Sequence, residues 1–85
     1  LQLRQSIFES GYDDPRAADK MAEADDLFAQ GRYDKAREAY RRLADNQVNP
    51  TDLAERCRYM QAECRRMRGQ YPEAVDTYHK LLMLS

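Results

Sequence analysis

The phrase Gly-x-Tyr-x-x-Ala-x-x-x-Tyr-x-x-Leu occurs twice, from Gly31 to Leu43 and from Gly69 to Leu81, thirty-eight residues apart. Each copy opens on a glycine, which reaches a left-handed φ without steric cost and so can end one helix and turn the chain back. Ala36 and Ala74 fall where two helix backbones have to approach closely, and Tyr40 and Tyr78 follow one turn later. Tyr33 and Tyr71 are predicted to wedge between helices at the turns, and Leu43 and Leu81 to seal the far ends. A turn, a small residue and a ring at helical spacing describe a helical hairpin, used twice.

The rest of the chain agrees with a wholly helical reading. Leu1–Ser10 is a short candidate helix with Leu3, Ile7 and Phe8 apolar, stopped at Gly11. Asp14-Pro15 is an N-cap followed by proline at a first helical position, so Arg16–Gln30 is predicted helical. Ala18, Met21, Ala24 and Phe28 lie near one face of it, flanked by Ala22 and Leu27. Asp34 to about Asn46 is the next helix, with Ala36, Ala39, Tyr40 and Leu43 apolar. After an Asn46–Thr51 loop, Asp52 and Glu55 form a capping-box-like start. The following helix carries the row Leu53, Cys57, Met60, Cys64, Met67. Pro72 starts the last helix, where Ala74, Val75, Tyr78, Leu81 and Leu82 make a broad apolar face. No segment alternates with period two. The domain is predicted to be all-α, with residues 1–14 a helix and loop, 15–46 one hairpin, 47–51 a linker and 52–85 a second hairpin.

The hairpins resemble tetratricopeptide repeats in Gly31, Tyr33, Ala36, Tyr40 and in Gly69, Tyr71, Ala74, Tyr78, with Ala24 and Ala62 at the small position of each first helix. That resemblance implies an α-α superhelix built of two such hairpins plus a short N-terminal helix. The first helices depart from the family pattern: Lys20, Glu23, Leu27 and Arg58, Gln61, Arg65 stand where it has Trp or another large apolar residue, then Leu, then Tyr. The row from Cys57 to Met67 is therefore expected to be rotated and to pack on the preceding hairpin. The stretch Tyr59–Cys64 is also similar to repeats of bacterial envelope proteins, namely the Tol-Pal accessory protein and the outer-membrane assembly lipoprotein. This implies a periplasmic or envelope setting, with the cytoplasm as the alternative.

For function, the resemblance implies a non-catalytic module that binds a peptide or partner protein on its concave face. The matching positions are Ala18, Met21, Asp25 and Phe28, then Arg56, Tyr59, Glu63 and Arg66. The partner-binding set is thus Arg56, Tyr59, Glu63, Arg66, Met21, Asp25 and Phe28, although Met21 and Phe28 also suit a core. A carboxylate clamp is not expected where Asp25 and Glu63 stand. The alternative is nucleic-acid binding by Arg56, Arg58, Arg65, Arg66 and Arg68, with Tyr59 for stacking. Against it, Glu55 and Glu63 interrupt the patch and the net charge is −1.

No catalytic, metal or cofactor site is expected. The lone His79 flanks the last helix, and no glycine-rich phosphate loop or Cys-x-x-Cys occurs. Cys57 and Cys64, two turns apart on one helix, would be about 10 Å apart, too far for a disulfide, and read as small core residues. No run reaches the roughly 18 apolar residues of a membrane span. A start at Leu1 and the apolar run Leu81–Leu84 lead to the expectation of a piece of a longer protein that self-associates through its last helix or is marginally stable alone.

Overall fold

The computed structural model describes residues 16–46, 49 and 51–84. The candidate helix at 1–10, its stop at Gly11 and the Asp14-Pro15 cap lie outside the described residues. The rest folds as four helices: α1 (Ala17–Ala29), α2 (Tyr33–Asp45), α3 (Thr51–Met67) and α4 (Tyr71–Leu84). Each packs on its neighbours in the chain, and no strand occurs among the described residues. The all-α hairpin superhelix expected from the sequence is the architecture found.

Both hairpin turns follow from their glycines. Gly31 and Gly69 each sit at φ 78°. The Gly31 N–H donates to the Phe28 carbonyl at 3.0 Å and the Arg32 N–H to that of Leu27 at 2.9 Å. Gly69 to Arg66 at 3.0 Å and Gln70 to Arg65 at 2.8 Å repeat the arrangement. These paired bonds satisfy carbonyls that a helix end otherwise leaves open, and they need a left-handed residue at the bend. A methyl group on either glycine would meet no atom within 4 Å. Gly31→Ala should therefore destabilise through backbone strain alone, by about 1–2 kcal/mol, with Gly31→Asn costing less. A urea titration in which Gly31→Ala equals the wild type would remove this account of the turn.

The core lies where α1, α2 and α3 meet. Ala17, Met21 and Ala24 of α1 face Ala36, Tyr40, Leu43 and Ala44 of α2, and Leu53, Ala54, Cys57 and Cys64 of α3 close the group. Ala17, Ala24, Ala36, Tyr40 and Cys57 have no exposed surface, so the small residues permit the close approach and the one large ring fills the space between. The rotated row of α3 does pack on the preceding hairpin, where Cys57 Sγ lies 3.7 Å from Met21 Sδ. Both cysteines are buried and free. Burial pushes each thiol up to about 11.

Four placements differ from the sequence reading. Ala17, not Ala18, faces the core of α1; Ala18 is exposed. Met67, at the end of the α3 row, is 45% exposed. Asp52 lies inside the first turn of α3, its carboxylate accepting the Leu53 N–H at 2.9 Å. Tyr33 does wedge at its turn, edge-on to Phe28 at 5.2 Å and 72°, but Tyr71 is 61% exposed. The residue corresponding to Phe28 in the second hairpin is Arg66, which gives Tyr71 no ring to pack on.

Beyond α2, Asn49 is buried and its side-chain amide donates to the Leu43 carbonyl at 3.3 Å. Several surface charges pair within the chain. Arg41 bridges Glu38 and Asp45, Lys80 meets Asp76 at 3.1 Å, and Arg68 reaches back to Asp34 at 2.8 Å. Exposed pairs of this kind contribute about 0–1 kcal/mol each, so they trim the surface and leave the hydrophobic seam to hold the fold.

Candidate partner-binding surface

Residues 56, 59, 63 and 66 recur along α3 at steps of three, four and three, which places them on one side of the helix. That side is turned away from the Cys57–Cys64 seam and borders α4. Arg56 and Arg66 are exposed, Tyr59 is 46% exposed and Glu63 is half-buried. The Tyr59 ring leans on the Tyr78 ring of α4, 5.8 Å between centroids and 50° between planes. The Tyr78 ring thus backs one side of Tyr59, and part of the Tyr59 side chain remains exposed.

Glu63 is the hub of this surface. Its carboxylate accepts from Arg66 Nη2 at 2.8 Å and Nε at 3.4 Å, and from the Tyr78 hydroxyl. The Arg66 guanidinium, with the Tyr78 hydroxyl next, holds the Glu63 carboxyl below the usual carboxylate range. Burial and then the adjoining Glu63 carboxylate push the Tyr78 phenol up to about 12. Within this cluster Glu63 is oriented by its own chain, and Arg66 is held along with it.

The first hairpin carries the equivalent carboxylate to the equivalent ring. Asp25 accepts the hydroxyl proton of Tyr40, as Glu63 does that of Tyr78, and both pairs are fifteen residues apart. The other positions diverge. Met21 is 8% exposed and belongs to the core, and Phe28 is half-buried against Tyr33. Of the seven residues expected to meet a partner, Arg56 and Tyr59 are presented outward with no ion pair among the described residues. Asp25, Glu63 and Arg66 are engaged within the chain. Met21 and Phe28 line the interior.

Tyr78 does more than complete the apolar face of its helix: it both backs Tyr59 and orients Glu63. The signal was present: two acids thirty-eight residues apart, each fifteen before a repeated tyrosine. A second concavity lies between α1 and α2, a cavity of about 250 Å³ lined by Lys20, Glu23, Ala39, Arg42, Leu43 and Asn46. It opens where Lys20 and Glu23 replace the bulky residues of the resembled pattern. Among the described residues, no three His, Cys, Asp or Glu side chains gather as a metal-holding cluster. No helix there is long and apolar enough to cross a membrane.

The family model described as Tetratricopeptide repeat matches residues 21–82. No curated protein and no solved structure matches the chain. The matched span takes in both glycine turns, both Tyr–carboxylate pairs and the whole of α3.

Proposed function

Because this chain belongs to the tetratricopeptide-repeat family, whose members generally mediate protein–protein interaction or scaffolding, we propose that it is a non-catalytic binding module. It takes a peptide or a segment of a partner protein against α3, with Tyr59 as the apolar anchor and Arg56 beside it. The observation that carries this reading is the half-exposed Tyr59 ring, stiffened from behind by Tyr78. A rigid aromatic with a neighbouring arginine is the residue chemistry that concentrates binding energy at interfaces. Glu63 and Arg66 serve this surface by holding its shape.

Peptides selected from a random displayed library against the 85-residue chain supply the probe. Their affinity, measured by calorimetry, should fall about thirtyfold with Tyr59→Ala, the size of a hot-spot loss, while the helical circular-dichroism spectrum is unchanged. Arg56→Ala should cost less. Binding should change little between low and moderate salt. A steep salt dependence would turn the assignment toward phosphate contacts and a nucleic acid, and unaltered affinity in both variants would remove α3 from the site. Two of the five arginines that a nucleic acid would need, Arg66 and Arg68, are already paired with Glu63 and Asp34.

We further propose a bacterial-envelope setting and self-association through α4. An envelope setting rests on the likeness of the Tyr59–Cys64 phrase alone. Self-association through α4 rests on its exposed apolar side chains: Val75, Leu82 and Met83 are 62%, 74% and 73% exposed.

A further inference from the structure

Besides Arg56, three arginines of α2 and α3 have no ion pair among the described residues: Arg37, Arg58 and Arg65. Arg58 is exposed, whereas Arg37 and Arg65 are both half-buried. The acids beside Arg37 are engaged elsewhere, Asp34 with Arg68 and Glu38 with Arg41 and Arg42. Arg65 has no acid one turn away in either direction, and Glu63 beside it holds Arg66.

The two half-buried arginines lie at one level of the α2–α3 seam. The start of α2 meets the end of α3 through the Asp34–Arg68 bridge, so the helices run antiparallel. One turn on from Asp34 along α2 is Arg37, and one turn back from Arg68 along α3 is Arg65. Cys64, buried next to Arg65, feels the Arg37 charge. Arg65 also belongs to a row of Arg58, Gln61, Arg65 and Arg68 at steps of three, four and three. Each lies two residues beyond a member of the set Arg56, Tyr59, Glu63, Arg66, which is about 160° round the helix. The row therefore occupies the other side of α3 from Tyr59. It holds no acid and no aromatic ring, and Arg58, Gln61 and Arg65 are the positions at which α3 departs from the repeat pattern.

We propose that Arg37 and Arg65 together take the carboxylate of a glutamate or aspartate in an acidic segment of a partner protein, with Arg58 and Gln61 extending the contact along α3. A guanidinium from each of two helices can donate to one carboxylate, and charge-assisted bonds of this type are the strong ones. Two partly desolvated cations with no counter-charge are unfavourable, and an incoming carboxylate relieves that cost. A nucleic acid fits this row less well. It offers no ring for a base to stack on, Arg68 is held by Asp34, and the net charge of the chain is −1.

The probe is a capped peptide of alternating glutamate and serine, with its glutamine counterpart as control. Binding is followed through the arginine side-chain N–H signals in nuclear magnetic resonance titrations at low salt. The glutamate peptide should move the signals of Arg37 and Arg65, and the glutamine peptide should not. Arg37→Gln and Arg65→Gln should each weaken binding about tenfold, the size of a lost hydrogen bond to a charged group. The double variant should lose little more than either, because both arginines hold one carboxylate. Neither substitution should lower the urea midpoint, since each removes one of two neighbouring like charges. A lowered midpoint would assign the arginines to packing and overturn the proposal. So would a glutamate peptide that does not bind or that moves Arg56 and Arg66 instead, tighter binding of an oligothymidylate, or equal binding of inorganic phosphate at the same concentration. Tyr59→Ala should leave this titration unchanged, so failure here and failure of the Tyr59 surface are separate results.

Discussion

Tyr40→Ala should lower the urea midpoint at 25 °C far more than Tyr78→Ala, the same change thirty-eight residues on. The two tyrosines are equivalent in sequence and in their bond to a carboxylate one helix back. They differ in cover. Tyr40 is wholly buried, enclosed by α1, α2 and α3, whereas Tyr78 is half-buried and bounded by Tyr59 on one side. Removing a fully enclosed aromatic ring costs about 3–5 kcal/mol. The total stability of a chain this size is roughly 4–13 kcal/mol, so the first loss consumes much of it. A half-covered ring loses roughly half as much area and leaves no closed cavity. Tyr40→Phe isolates the polar part: it removes only the donor to Asp25, which stays near the surface and recruits water, so about 1 kcal/mol is expected. Equal stability of Tyr40→Ala and Tyr78→Ala in denaturant titrations would mean that α3 does not seal the first hairpin.

That contrast also marks how far the sequence could be read. Gly31 and Gly69 announced their turns because a left-handed residue has few substitutes, and both adopt the same φ. The two cysteines announced the α3 seam because their spacing permits one buried face and no bridge. Tyr40 and Tyr78 were equally legible as inward rings, but a repeat shows only what lies inside each hairpin, and burial depends also on the helix that comes next. Tyr71 misled for a related reason, since its wedge needs a ring where Arg66 stands. The surface was harder still. Asp25 and Glu63 lie on exposed helix faces by periodicity, and a carboxylate facing solvent is spelled like one that reaches a tyrosine hydroxyl. Met21 and Ala18 show the angular limit: one residue is 100° of helix, enough to move a side chain from contact surface to core.

Cys57→Asp should unfold the chain at neutral pH and let it recover part of its helicity as the pH is lowered. Cys57 has no exposed surface and sits against Met21 Sδ in the seam between the hairpins. The native thiol shows the direction in which this position moves a negative charge. Burial is the largest influence on it, Arg56 and Arg58 pull in the opposite direction without cancelling, and the thiol is pushed up to about 11. Asp25 adds to the upward push. A carboxylate placed there meets the same ordering, so its pKa in the folded chain rises above the unfolded value of about 3.9. The penalty is therefore complete at neutral pH and fades as pH falls through the raised value. The wild type must behave in the opposite sense. Glu63 is held below the usual carboxylate range by Arg66 and Tyr78, so its contribution is present above the unfolded carboxylate value and lost as acid reaches the depressed one. Helicity followed by circular dichroism from pH 7 down to about 4 should then rise for the variant while that of the wild type holds or declines. Cys57→Ser, which buries a hydroxyl and adds no charge, should cost about 1–3 kcal/mol and show no such reversal. If Cys57→Asp remains folded at neutral pH with near wild-type stability, the seam is open to water at Cys57 and the two hairpins are not held together there.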